Sequence, residues 1–264
     1  MPFTFWADLN HRDFGDAALA DAVAVVPVGA IEQHGPHLPL STDAVLAEEM
    51  ARETASRVTD ARALVLPVVA YGKSDEHLGF QGTVSLDAET LIAILTQIGR
   101  SIARAGVRRV VFLNAHGGNV PVLQIVIRRL RVELGLFCVA AGWVSMGFPE
   151  GVVSPREAQE GIHGGLVETA AMLHFRPDLV DMSKARHFVP ASAEIARSNE
   201  VLRLMGPVSA GWSIEDLHAD GAAGDASAAT PEIGARIVEH AAIRYARLIE
   251  EVARHDLPRT TGPA

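Results

Sequence analysis

Four short runs of this chain, residues 22–28, 63–69, 109–113 and 136–141, are apolar almost without interruption and rich in β-branched side chains. A strand that faces water on one side alternates apolar and polar residues, whereas a strand covered on both faces has no reason to. Between these runs the period changes. Leu91, Leu95, Ile98 and Ile102 fall on one helical stripe, as do Leu123, Val126, Ile127, Leu130 and Leu134. A further helix is expected to begin at Asp43 and run through Leu46 and Met50. The last follows Thr230-Pro231, an N-cap and a first-turn proline, and carries Ile237, Tyr245, Leu248 and Val252. Strands alternating with helices predict right-handed crossovers and an α/β fold of three layers, a mostly parallel central sheet flanked by helices. The stretches 142–165 and 219–230 read as long loops.

The 264 residues suit one domain spanning 1–264, with a loose tail after about residue 255. A formal net charge of −9 argues against a nucleic-acid partner, which needs a basic face to meet phosphates. No apolar stretch reaches the ~18–20 residues of a membrane span. The N-terminus lacks the basic start and apolar run of a signal peptide, so a cytoplasmic protein with no membrane partner is expected. The single cysteine, Cys138, sits in an apolar run and reads as a small buried hydrophobe. With no G-x-S-x-G elbow either, a covalent hydrolase is a poor candidate.

Ligands of open α/β sheets gather at the C-terminal ends of the strands. After the first run comes Glu32-Gln33-His34-Gly35-Pro36-His37-Leu38-Pro39, then Thr42-Asp43. Residues two apart in extended chain point the same way, so Glu32 and His34 can reach one centre. Carboxylate and imidazole are ligand types shared by zinc, manganese and iron. Asp43 has two compatible readings, helix N-cap and ligand. Asn114-Ala115-His116-Gly117-Gly118-Asn119 follows the third run, with glycines that permit unusual backbone angles or close approach to a ligand. That turn could instead cradle phosphate for a nucleotide-binding oxidoreductase, although it lacks a Walker lysine and a full G-x-G-x-x-G. Gly161-Ile162-His163-Gly164-Gly165-Leu166-Val167-Glu168 would open a helix near Gly165, with Glu168 in its first turn as dipole partner or ligand and His163 as a proton carrier. Glu76 and His77, after the second run, would support the ligands or touch substrate.

Taken in order, these segments resemble the creatininase family over roughly residues 20–250, the first motif being long enough to be strongly specific. Gly82-Thr83, Gly224-Asp225 and Ala229-Thr230 extend the likeness. The resemblance implies an amidohydrolase with two divalent metals per subunit, zinc first and manganese or iron as alternatives, commonly assembled as a homohexamer. It implies that Glu32 and His116 hold one metal, that His34 holds the other and that Asp43 bridges both. The chain departs from the pattern at Gly118, where creatininase has a metal-binding glutamate, and Glu168 is the candidate replacement. His163 and Glu168 are then the catalytic candidates. Gly117, Gly118, Asn119 and Trp143 join Glu76 and His77 as candidate substrate or supporting residues. The expected reaction is hydrolysis of a small molecule's non-peptide C–N bond, in a cyclic amide or formamide, by metal-activated water. A short-peptide substrate and a non-catalytic metal-binding role are the alternatives.

Overall fold

The computed structural model describes residues 3–14, 19, 21–206 and 208–255, so the expected loose tail lies almost wholly outside the described residues. In chain order the elements are β1 (Phe3–Phe5), β2 (Val23–Val28), α1 (Thr42–Ala55), β3 (Ala63–Val65), α2 (Ala88–Arg104), β4 (Arg109–Asn114), α3 (Val120–Leu134) and β5 (Phe137–Gly142). There follow α4 (Pro155–Glu160), α5 (Leu166–Phe175), β6 (His187–Phe188), α6 (Ala191–Ser198), α7 (Ile214–Leu217), β7 (Gly224–Asp225) and α8 (Pro231–Arg254).

The first five strands form one parallel sheet in the order β1-β3-β2-β4-β5. Alternate residues of each strand feed two separate cores. Val23, Val25, Val111 and Leu113 pack with α1, α5 and α8, while Ala24, Val26, Val110 and Phe112 pack with α2 and α3. Burial on both faces is why these strands need no polar positions. Tyr245 of α8 reaches the sheet itself, its hydroxyl lying 3.1 Å from the Phe112 carbonyl and 2.8 Å from that of Ala141.

The register of β2 on β4 runs from Val23↔Arg109 to Val28↔Asn114, so both strands end at one level. The motifs that follow them are therefore neighbours at the sheet's C-terminal end.

Four expectations need correction, and one strand was not expected. Phe3–Phe5 is an edge strand too short for a periodic signal. The run 63–69 is a strand only to Val65, because Pro67 has no N–H to give, and a single bridge, Val28↔Val69, marks its far end. The stretch 142–165 is no simple loop: it holds a turn of 3-10 helix at Trp143–Met146 and then α4. The 219–230 stretch likewise contributes β7, which pairs antiparallel with β6. Cys138, on the edge strand β5, is half-buried rather than buried, and burial still pushes its thiol up to about 12.

Candidate metal centre

Gly29 ends β2 under the first turn of α1, where a side chain would lie 2.7 Å from the backbone of Asp43 and Ala44. That close approach folds Asp43 back toward the residues just past the strand. Asp43 is not the N-cap: α1 begins at Thr42, and the capping residue Ser41 makes no side-chain cap bond. The Asp43 carboxylate points inward instead and is 1% exposed.

Its two oxygens face different histidines. Oδ1 lies 3.1 Å from His34 Nε2, and Oδ2 lies 3.2 Å from His116 Nδ1. His116 Nδ1 is also 3.2 Å from Glu32 Oε1. Each ring is turned by a hydrogen bond on its far nitrogen. His116 Nε2 donates to the Lys73 carbonyl at 2.9 Å, and His34 Nδ1 donates to the Glu32 carbonyl at 3.1 Å. Such outer contacts commit the outer nitrogen as donor and aim the inner nitrogen at the centre, the usual arrangement of a metal-binding imidazole.

Glu168 comes in from α5. Its Oε2 accepts from the Gly164 N–H at 2.6 Å, just ahead of its own helix, and stands 3.9 Å from His34 Nε2. His163 is fixed by bridging to Ala223, and its Nδ1 lies 3.6 Å from Glu32 Oε1. His77 Nε2 is 3.3 Å from the same oxygen. Three groupings of these side chains could hold a metal ion: Glu32–His34–Asp43, His34–His163–Glu168 and Glu32–His77–His163.

Charge and desolvation test whether a cation belongs here. Both oxygens of Glu32 and Oδ2 of Asp43 are buried with no hydrogen-bond partner. Buried unpaired carboxylate is among the most expensive things a protein can hold. Lys73, a nearby cation, is paired with Asp75 and Glu76 instead. Burial raises Glu32 above the usual carboxylate range, only partly offset by His116. Burial works against a charged ring at His34, but Asp43, Glu168 and Glu32 overcome it and hold that ring up at about 10. His116 is raised well above its ordinary value in the same way, burial being outweighed by Glu32 and Asp43. Asp43 is the converse: His34 and His116 outweigh its burial and pull it far down. Carboxylates that hold protons on two inward-facing imidazole nitrogens will hold a divalent cation there better, so the donor set fits metal.

The remaining candidates fall around this cluster. Asn119 is a brace: its amide nitrogen donates to the Gly29 carbonyl at 3.0 Å, and its Oδ1 accepts from the Lys73 N–H at 3.0 Å. Glu76 stands outside His116, with Oε1 3.6 Å from Nε2 and Oε2 2.8 Å from Lys73 Nζ. Gly117 and Gly118 have no left-handed backbone. Gly118 is needed for space, since a Cβ there would overlap the Glu76 carboxylate, the His116 ring and the Lys73 carbonyl. That electronegative lining is also wrong for phosphate. Trp143 is not brought to the cluster: it is 1% exposed and belongs to the core shared with α8.

Two residues that sequence reasoning did not assign are Gln33, which touches both His77 and His163, and His37, whose Nε2 is 2.9 Å from Thr169 Oγ1. Both stand inside the first motif, and that position was the available signal.

Comparison with known proteins gives the family and the fold. The family model described as creatinine amidohydrolase matches residues 7–249. A mycofactocin precursor peptide peptidase of Mycobacterium ulcerans is 36% identical over 90% of this chain and 86% of its own length. A creatinine amidohydrolase of Pseudomonas putida is 34% identical over 71% of this chain and 78% of its own. A solved creatininase in a manganese form superposes with a TM-score of 0.75 at 28% identity, covering 94% of this chain and 97% of that one. A Zn–Zn form gives 0.74 at 28% identity over the same shares. With its motifs at the ends of β2 and β4 and the family model spanning nearly the whole chain, this protein belongs to the creatininase family.

Proposed function

We propose that this chain, a hydrolase of carbon–nitrogen bonds by its family, is a two-metal amidohydrolase acting on a small cyclic amide or formamide. Glu32, His116 and Asp43 would hold one metal. His34, Asp43 and Glu168 would hold the other, with Glu168 supplying the carboxylate that Gly118 lacks. The observation that carries this reading is the division of Asp43, one oxygen on His34 and the other on His116, beside a buried Glu32 carboxylate that faces histidine nitrogens and makes no hydrogen bond.

Divalent metals bound here would supply the Lewis acidity that makes water a nucleophile near neutral pH, lowering its pKa from 15.7 toward about 7. The chain's own residues do the rest. Asp43, with one oxygen toward His34 and the other toward His116, would be shared by the two metals. Burial together with the neighbouring His34 and His77 keeps His163 well below its ordinary range, hence neutral, so its Nδ1 can take a proton and return it to the leaving nitrogen. Closure of the cluster from bulk water strengthens each of these interactions.

A short peptide is the second reading, favoured by the likeness to a peptide peptidase across 90% of the chain. Elemental analysis of protein purified without chelator tests the common part: about two metals per chain supports it, and none after zinc, manganese and iron are supplied sinks it. A panel of cyclic amides, formamides and short peptides then separates the two substrate classes. The same reading carries a homohexamer in the cytoplasm, which sedimentation and fractionation test. Among the described residues no helix is long and apolar enough to cross a membrane.

A further inference from the structure

His77 and His163 lie side by side, ring centroids 4.3 Å apart, and both present a nitrogen to Glu32 Oε1. What each nitrogen carries is decided by one residue behind them, Gln33, through its side-chain amide for His77 and its backbone carbonyl for His163. The Gln33 amide oxygen accepts from the Gly35 N–H at 3.0 Å, which fixes the amide's orientation, since a backbone N–H can only donate. The amide nitrogen then has two hydrogens and three neighbours. These are the Gly221 carbonyl at 2.8 Å, His77 Nδ1 at 2.8 Å and His163 Nε2 at 3.2 Å.

Counting donors resolves the competition. The Gly221 carbonyl can only accept, so it takes one hydrogen. His163 Nε2 lies 2.7 Å from the Gln33 backbone carbonyl, which also can only accept, so that ring nitrogen must itself donate. A nitrogen that donates cannot receive the amide's second hydrogen. It goes to His77 Nδ1, which is therefore bare, and the His77 ring proton sits on Nε2.

We infer that Gln33 is a positioning residue that sets the same Nε2–H tautomer on two adjacent histidines that face Glu32 by opposite ring edges, so that His77 turns an N–H toward Glu32 while His163 turns a bare Nδ1. This deepens the proposed hydrolase reading and rests on it only for its catalytic consequence. His163 keeps the lone pair that a proton carrier or metal ligand needs. His77 does not, and is thereby withdrawn as a ligand from the Glu32–His77–His163 grouping. Burial, with His34 next, holds His77 down at about 3, in keeping with a ring that stays neutral. Holding an imidazole in the wrong tautomer costs up to about 10⁴-fold in turnover in triad hydrolases, so a device of this kind has catalytic weight.

Neutron diffraction from deuterated crystals of the zinc-loaded protein reads the tautomers directly and needs no substrate. Deuterium on Nε2 of both rings, and none on His77 Nδ1, is the expected map. Deuterium on His77 Nδ1, or its absence from His163 Nε2, overturns the inference. Failure of the metal reading appears separately in the same map, as zinc missing from the carboxylates.

Gln33→Glu supplies a second reading at nearly unchanged shape. Its side chain offers at most one hydrogen where the amide offers two. The Gly221 carbonyl needs it, whereas His77 can supply its own. The His77 deuterium is therefore expected to move to Nδ1. If it stays on Nε2 in the variant, something other than Gln33 sets the tautomer. Should the variant not fold, the map of the unaltered protein still decides.

Discussion

The two halves of the metal centre are built to different tolerances. On the Glu32–His116 side every ligand is fully enclosed, two contacts to His116 Nδ1 are 3.2 Å, and the ring is locked by the Lys73 carbonyl. On the His34 side the third ligand, Glu168, arrives from another helix with its side chain 16% exposed. It stands 3.9 Å from His34 and already accepts from the Gly164 N–H. Burial raises Glu168 to about 7, so near neutral pH in the metal-free chain it is partly protonated and must lose that proton to bind a cation. One half is pre-organised and the other must be completed. In the proposed two-metal reading, a glycine at position 118 puts the cost on one metal rather than both.

The bridge is the place to break this comparison, because both halves share it. Asp43→Ala is expected to lose both metals, with activity falling by more than the ~10–100-fold that a supporting residue costs. A variant that keeps two tightly bound metals by elemental analysis removes Asp43 from the bridge. Glu168→Gln should separate the halves, taking metal from about two per chain to about one. Retention of both would mean that His163 or water completes that side unaided. Gly118→Ala presses on Glu76, the His116 ring and the Lys73 carbonyl that holds that ring, so it should weaken the enclosed half by roughly 10–100-fold in metal affinity, measurable by chelator competition.

A pH series sharpens the contrast further. In the metal-free chain His34 is raised from 6.5 to about 10, so its stabilising contribution is complete below 6.5 and is lost as pH rises through about 10. His116 is raised too and acts with the same sign. Glu168 has spent its contribution once pH passes about 7. His37, His77 and His163 are all lowered, so their effects end below 6.5. The Tm of the metal-free protein should therefore fall between about pH 7 and 10, and zinc should flatten that slope; a flat metal-free profile contradicts the protonated cluster. The smallest effect on metal is expected at Trp143. Trp143→Ala should cost stability, about 3–5 kcal/mol for an emptied core position, and leave the metal count unchanged.

Much of this was legible before folding, and what was not has physical reasons. Glu32, His34 and His116 stand within a few residues of strand ends, where periodicity and the parallel-sheet rule already put a site. Asp43 was visible as a polar residue at a helix start, but its choice between cap and ligand depends on Gly29, whose close approach no local pattern encodes. Trp143 misled because an aromatic in a Gly-rich segment looks like a binding-loop residue. Its partners are on α8, about a hundred residues on in the chain. Gln33 was passed over as chemically neutral, and its contacts lie 44, 130 and 188 positions away.

The reach of Tyr245 into the sheet also bears on how the protein is made. Helix α8 covers α1 and α5, the helices that carry Asp43 and Glu168, and its hydroxyl contacts tie it to the strands beneath. It is also synthesised after every ligand-bearing element. On a ribosome moving at roughly 5–20 residues per second, all the metal ligands emerge before the surface that seats them exists. Seating of the helices that carry Asp43 and Glu168 therefore waits for α8, the last of the described elements to be made.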